Sequence, residues 1–387
     1  MRYENSPALM SENELGKTPE EFVRTQNASQ VQIVAAVALP PPLHGQSYVN
    51  ATVINRLKEA GQKPIVADIS PGATAGRVAY HSKRLLRVIV AVNYLFAHRR
   101  REGRVFYSVL EAGHGIFYNF ALLFLARAFS YEVFLHHHSA KHTLATSARF
   151  RALLWFAGPV THIVLSERMA KDLASRYAGI DRILVAHNAC AVADPGETRS
   201  RRIEGAPLTI GHLSNLSLEK GLDTVIQTVV AAREAGLDLR LVLAGPATGE
   251  ASEAIAEARE ILGNTLDFRG PVSGPSKKDF FRDIDVFFFP TRYQYEAQPL
   301  VVLEALSYGV PVIATDHGYI SECLGSEECV IQPAAPISET LAILHTFLQP
   351  ESLRKRQNAA RARFCELRQL SLAQYDRLAA DICGGEA

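Results

Sequence analysis

Long apolar runs are missing from this chain of 387 residues. Stretches such as Phe120–Ala126 and Val88–Val92 are far shorter than the roughly 18 residues of a spanning helix, so no transmembrane segment is expected. Cysteine is scarce: Cys190, Cys323, Cys329, Cys365 and Cys383 are odd in number, scattered and without C-x-x-C spacing. That pattern argues against a disulfide frame or a zinc site and predicts reduced thiols. No charged-then-apolar leader opens the chain, which with the thiols predicts a cytoplasmic location. Net charge is nearly absent, with 41 Lys and Arg against 40 Asp and Glu, and no nucleic-acid partner is expected. G-x-x-x-x-G-K-[ST] and G-x-S-x-G do not occur, and Gly113-His114-Gly115 lacks the third glycine of a dinucleotide loop. A kinase-type ATP site, a hydrolase triad and a dinucleotide site therefore have no support.

Hydrophobic residues make up 48% and charged residues 21%, the profile of a globular protein with a sizeable core, and the length suggests two to three domains. The charge balance hides a split: residues 1–190 hold 22 basic and 13 acidic side chains, residues 191–387 hold 19 and 27. From Val31 apolar runs alternate with helical segments. Val31–Leu39, Pro64–Ile69, Arg104–Leu110, Tyr131–His136, Val160–Leu165 and Ile183–Ala186 have the pattern of buried strands; Ser47–Ala60, Ile116–Ala128 and Glu167–Tyr177 that of helices. Residues 191–206 carry Pro, Gly and mixed charge, a linker composition, and the alternation then resumes. Strands are expected at Leu208–His212, Leu239–Ala244, Leu266–Phe268, Val286–Phe289 and Pro311–Ala314, helices at Leu222–Ala235, Ala251–Leu262 and Leu300–Tyr308, and more helix over the last fifty residues. The expected fold class is α/β, with two Rossmann-like doubly wound domains facing a cleft. The expected divisions are a flexible extension over 1–29, an N-terminal domain over 30–195, a C-terminal domain over 207–365, and a helix over 366–387 packing back on the N-terminal domain.

The most informative stretch is Phe287–Glu322, FFFPTRYQYEAQPLVVLEALSYGVPVIATDHGYISE. A strand ends at Pro290, a polar loop brings Glu296 forward, and Pro299 stands where a helix begins; Gly309 and Pro311 stop that helix. The N–H groups near Leu300 and Val301 form an anion site at the carboxyl edge of a parallel sheet. Glu304, one turn inside, suits a vicinal diol such as ribose, and Glu296 a second polyol. Phosphate between two hydroxyl binders is the outline of a nucleotide sugar.

Glu296 and Glu304, with seven residues between them, resemble the E-x7-E signature of retaining glycosyltransferase family 4, whose fold is GT-B. The flanking PTRYQYEAQPLVVLEALSYGVPVIATD is similar to that family almost position by position, and IGHLSNLSLEKG at 210–221, LPPPLHGQS at 39–47, ILVAHNA at 183–189 and the histidines at 136–138 extend the likeness. The resemblance implies a hexosyltransferase that uses a UDP- or GDP-sugar and a glycan or lipid-linked acceptor, with no metal and no cofactor. It implies that Glu304 holds the donor ribose, Glu296 the sugar hydroxyls, and Lys220 the diphosphate. By the same likeness, Gly45 lets the backbone approach phosphate and sugar, and His137 lies near the reacting centre. Asn215 stands where the family often has Arg, which keeps a hydrogen-bond donor but loses a charge; Ala297 replaces a usual glycine. The alternatives are another GT-B enzyme, an epimerase or phosphorylase, and a binding module that has lost transfer.

His136-His137-His138 with His142 invites a metal reading, but strand alternation sends His137 to the face opposite His136 and His138. Asp283-Ile-Asp285 precedes a strand instead of following one and is expected to be structural. From Ser70 to Arg101 there is no Asp or Glu, yet Arg77, Lys83, Arg84, Arg87, Arg99, Arg100 and Arg101 are interleaved with apolar residues. Part of that run belongs in a core; the uncompensated cations predict peripheral attachment to an anionic membrane surface.

Overall fold

The computed structural model describes residues 31–41, 45–70, 72, 77–111, 113–196, 205–325 and 329–384. The extension expected over 1–29 lies outside them, as do parts of the Pro-rich loop and of the linker.

The N-terminal unit runs β1 (Gln32–Val37), α1 (Gly45–Glu59), β2 (Ile65–Asp68), α2 (Arg77–His98), β3 (Arg104–Leu110), α3 (Ile116–Ala128), β4 (Glu132–His137), α4 (Lys141–Leu144), α5 (Ala148–Ala157), β5 (Thr161–Val164), α6 (Glu167–Arg176) and β6 (Arg182–Val185). Its six strands form one parallel sheet in the order β2-β1-β3-β4-β5-β6. Strands β1, β3 and β4 are buried on both faces, because helices cover each side; this is why they show apolar runs with no alternation. One face packs Val34 and Ala36 against α2, α3 and α5; the other packs Ile33, Ala35 and Val37 against α1. Ser147 and Ser166 cap α5 and α6 by accepting from the Phe150 and Met169 N–H groups.

The C-terminal unit runs β7 (Leu208–Leu213), α7 (Leu222–Glu234), β8 (Leu239–Ala244), α8 (Glu250–Leu262), β9 (Leu266–Phe268), α9 (Gly274–Asp283), β10 (Val286–Phe289), α10 (Leu300–Ser307), β11 (Val312–Thr315), α11 (Ile320–Leu324), β12 (Cys329–Ile331), α12 (Pro336–Phe347) and α13 (Pro350–Ile382). Its sheet is also parallel, in the order β12-β11-β10-β7-β8-β9. Both sheets reverse strand order once, between β1 and β3 and between β7 and β10, and a crevice at the carboxyl ends of such strands is where open α/β sheets bind ligands.

Helix α13 joins the two units. Phe364 and Leu367 pack into the C-terminal core, whereas Tyr375, Leu378 and Ile382 pack against Ile33, Val49 and Val53 of the N-terminal one. Between these patches Ser371 Oγ donates to the His187 carbonyl and accepts from Cys190 N–H at 3.0 Å. The sequence pattern did not announce α4, α5, α9, α11 or β12, which are short or broken by polar residues, and α2 was legible only as a basic, apolar run.

Candidate active site

Two loops bring the chemistry of the C-terminal unit to its sheet edge. After β7 the chain turns through Ser217–Gly221. Gly221 has φ +82°, and a Cβ there would stand 2.0 Å from the Pro290 carbonyl, so the close approach of the two loops requires glycine. Arg292 N–H donates to the Glu219 carbonyl at 2.8 Å, and its guanidinium grips Asp223 at 2.8 Å. After β10 a second loop carries Tyr293, Tyr295 and Glu296. Tyr319 N–H holds the Glu296 carbonyl at 3.2 Å, and Gly318, with φ +60°, passes so close that a Cβ would stand 1.8 Å from that oxygen.

The loops meet in an ion pair. Lys220 Nζ donates to Glu296 Oε1 and lies 4.8 Å from the centre of the Tyr293 ring. Glu296 lines a cavity of about 210 Å³ between the units. From the N-terminal side the cavity receives Gly45, Gln46, Leu110, His138 and Ser139, and from the C-terminal side Gln298, Pro299 and Leu300. Gly45 begins α1 and faces Leu300, which would lie 3.7 Å from a Cβ on it. Asn188 also lines the cavity, and its buried Oδ1 has no hydrogen-bond partner.

Helix α10 opens at the cavity wall. Its cap, Pro299, offers no side-chain acceptor; Val302 N–H turns back to the Pro299 carbonyl at 3.1 Å, and the N–H groups of Leu300 and Val301 have no acceptor among the described residues. One turn in, Glu304 Oε1 pairs with Lys277 Nζ of α9 at 2.5 Å, while the buried Oε2 has no partner. Burial pushes the Glu304 carboxyl above its ordinary range, with Lys277 pulling the other way. Glu304 does not line the cavity; α10 carries it on a neighbouring face. Asn215 is exposed after β7 and makes no hydrogen bond among the described residues.

The position expected of His137 is taken by another residue. His137 is 1% exposed, its Nε2 shares a proton with His162 Nδ1 at 2.9 Å, and it packs edge-on to Phe150. Its neighbour His138 reaches the cavity, where Nε2 meets Asn50 Oδ1 at 3.2 Å and the ring lies 4.1 Å from that of His136. Alternation separates the three histidines but cannot say which face a second domain will cover. Lys277, Gln298 and Asn188 also escaped the sequence reading, since only tertiary packing brings them in. Among the described residues no group of three His, Cys, Asp or Glu is arranged to hold a metal. Asp285 accepts from Thr209 N–H at 3.0 Å and Asp283 pairs with Arg269 at 2.8 Å, at the sheet end remote from the cleft.

The units are pinned together beside the cavity. Gln298 Nε2 donates to the Leu165 carbonyl at 2.5 Å, and Asn188 N–H donates to Gln298 Oε1 at 2.8 Å. Ser166 Oγ donates to Glu322 at 2.9 Å, Tyr319 Oη to Asp172 at 2.9 Å, and Ala140 N–H to the Tyr295 carbonyl at 3.1 Å.

Residues 207–347 match the family model described as glycosyl transferases group 1. That stretch, the C-terminal unit without its last helix, is similar to the family. Over 135 residues it is 33% identical to the lipopolysaccharide core biosynthesis mannosyltransferase LpsB of Rhizobium meliloti, a match over 33% of this chain and 37% of that protein. Over 172 residues it is 26% identical to a GDP-mannose-dependent phosphatidylinositol dimannoside mannosyltransferase of Mycobacterium tuberculosis, covering 44% and 42%. These matches span less than half the length of either relative. The two units together superpose on Anabaena HepE, solved with UDP and glucose, at TM-score 0.65 and 14% identity over 92% of this chain and all of that one. Sucrose-phosphate synthase of Thermosynechococcus elongatus gives TM-score 0.66 and 16% identity over 91% and 99%. The fold is GT-B.

Proposed function

We propose that the protein is a retaining glycosyltransferase that moves a hexose from a UDP- or GDP-sugar to a hydroxyl of a polysaccharide or lipid-linked glycan. One observation carries this: a buried carboxylate oxygen without a partner, Glu304 Oε2, stands one turn inside a helix whose first N–H groups are unoccupied, with a second carboxylate, Glu296, in the cavity beyond. Ribose, diphosphate and sugar fit these three stations in order. Lys220 and the Leu300 and Val301 N–H groups stabilise the departing diphosphate, with Gly45 giving the backbone room; positive charge and N–H dipoles placed there act most strongly as the leaving group gains charge. In this reading a divalent metal takes no part.

No side chain in the cavity has the surroundings of a free nucleophile. Glu296, the carboxylate that lines it, is tied to Lys220, so the retaining reading, which comes from the E-x7-E resemblance, requires transfer on one face of the sugar without a covalent glycosyl-enzyme. The acceptor enters from the N-terminal side, past His138, Ser139 and Gln46. An acceptor of that class supports a location at the cytoplasmic face of a membrane, with peripheral attachment by the segment from Ser70 to Arg101. No helix among the described residues is long and apolar enough to cross one.

The test is proton NMR of the anomeric signals while the protein acts on UDP- and GDP-hexoses with a glycan acceptor fraction. An α-linked product from an α-linked donor is expected. An inverted product would remove the retaining assignment, and a rearranged sugar nucleotide without any acceptor product would replace the reading with an epimerase.

A further inference from the structure

Nine of the thirteen large apolar side chains exposed among the described residues lie on three helices of the N-terminal unit. Those helices, α2, α3 and α5, cover one face of its sheet, with α3 packed between the other two. In α2 the core takes the stripe Arg84, Val88, Ala91 and Leu95, spaced by three or four residues. The opposite side should then be polar. Instead it carries Leu85, Leu86, Ile89, Val90 and Phe96, and Leu86 is 63% exposed. Helix α3 adds Phe117 and Phe124, about two turns apart on its outer side, and α5 adds Phe156 and Trp155, the latter 77% exposed. Ring contacts knit the layer: Phe120 of α3 meets Phe156 at 6.0 Å, and Arg149 lies over Phe117 at 5.6 Å.

The charge on this layer has one sign. None of the three helices contains Asp or Glu, while Lys83, Arg87, Arg127, Arg149 and Arg151 stand among or beside the apolar groups. Not all the cations foreseen in the sequence are uncompensated. Arg84 is buried against Glu111 at 2.7 Å, and Arg87 lies 3.5 Å from Asp68. Lys83, Arg100, Arg101, Arg149 and Arg151 make no ion pair among the described residues.

We propose that the outer face of α2, α3 and α5 docks on an anionic lipid bilayer, with Leu86, Ile89, Phe124 and Trp155 entering the acyl boundary and the cations meeting the headgroups. The occupant follows from the surface. A second copy using the same face would set cations against cations, since an isologous contact is self-complementary only when both signs are present. A layer of parallel helical ridges carrying separate apolar tips, with basic groups at its rim, matches the interface of a leaflet. The face also reaches the cleft: Leu110, at the end of β3, lines the cavity, and α3, which follows, brings Phe117 within its first turn. The proposal deepens the peripheral attachment above and rests on the transferase reading only in supposing a lipid-linked acceptor.

Trp155 is the single tryptophan of the chain and reports on its own insertion. Vesicles of phosphatidylglycerol and phosphatidylcholine at low salt should shift its emission to the blue and carry the protein down on sedimentation; phosphatidylcholine alone should do so weakly. Changing Leu86, Ile89 and Phe124 together to Ser, all exposed, should weaken vesicle affinity about a hundredfold while leaving the melting temperature and its rise with UDP or GDP unchanged. No blue shift and no sedimentation with anionic vesicles at low salt would overturn the proposal. So would a blue shift that depends on protein concentration without lipid, which assigns the face to a second copy. Vesicle binding by a protein that neither nucleotide stabilises would retain the docking face and remove the transferase reading instead.

Discussion

Glu304 and Lys277 form an ion pair that leaves one carboxylate oxygen over. The Glu304 side chain is half-buried; one oxygen pairs with Lys277 at 2.5 Å, and the other is buried with no hydrogen-bond partner. Removing one member of a buried pair strands the other, at about 3–5 kcal/mol for a fully buried case; both side chains here keep some solvent contact, so about 1–3 kcal/mol is expected. Lys277→Met should therefore lower the unfolding free energy of the unliganded protein by that amount in urea titrations, and adding Glu304→Leu should restore much of it. A single variant as stable as the parent would show that the pair contributes nothing. Lys277 illustrates a limit of reading residues in order. The helix start at Pro299 and the carboxylate of Glu304 were legible together, because they lie on one short segment. The partner lysine comes from another helix and is ordinary in its own segment.

At the scale of elements, β4 and β5 hold a buried histidine pair. His137 and His162 share one proton across 2.9 Å, so at least one ring is neutral, and burial favours the neutral form of both. Burial holds His162 down at about 4, and burial with help from Lys141 holds His142, stacked on Phe150, at about 4. Both lie below the ordinary value near 6.5, so the unfolded chain binds more protons as pH falls through the interval, and stability drops from about pH 6.5 towards 4 by up to ~1.4 kcal/mol per unit for each such ring. Thermal melts should show a lower melting temperature at pH 5 than at pH 6.5, and His162→Gln should flatten that slope. Equal melting temperatures for the parent at the two values would refute the neutral-pair account. Strands of this kind were legible as apolar runs because both faces of a parallel sheet are covered. Which histidine faces the cavity was not, because alternation gives relative faces, and the cavity exists only where the second unit closes it; hence His138 and not His137 lines it.

For the whole molecule, α13 ties the units around the cleft. Tyr375, Leu378 and Ile382 are buried against the N-terminal sheet and its first helix, and each such side chain contributes about 1.5–3 kcal/mol by leaving water. A chain ending at 371 should lose about 5–8 kcal/mol from its N-terminal unit, seen as an early transition in thermal unfolding; an unaltered profile would mean that the helix end is dispensable. The two-sheet plan followed from apolar periodicity and linker composition. The pins at Gln298, Tyr319 and Glu322 did not, since polar residues that bridge units leave no periodic trace. The central claim is that a nucleotide sugar sits with its ribose on Glu304 and its diphosphate on the start of α10. Calorimetric titration of the parent and Glu304→Gln with UDP and GDP tests it most directly. The parent should bind at least one of them, and the variant about ten- to a hundredfold more weakly, because a charged hydrogen bond worth about 1.5–3 kcal/mol is lost. Equal affinities in parent and variant, or no binding of either nucleotide by the parent, would contradict it.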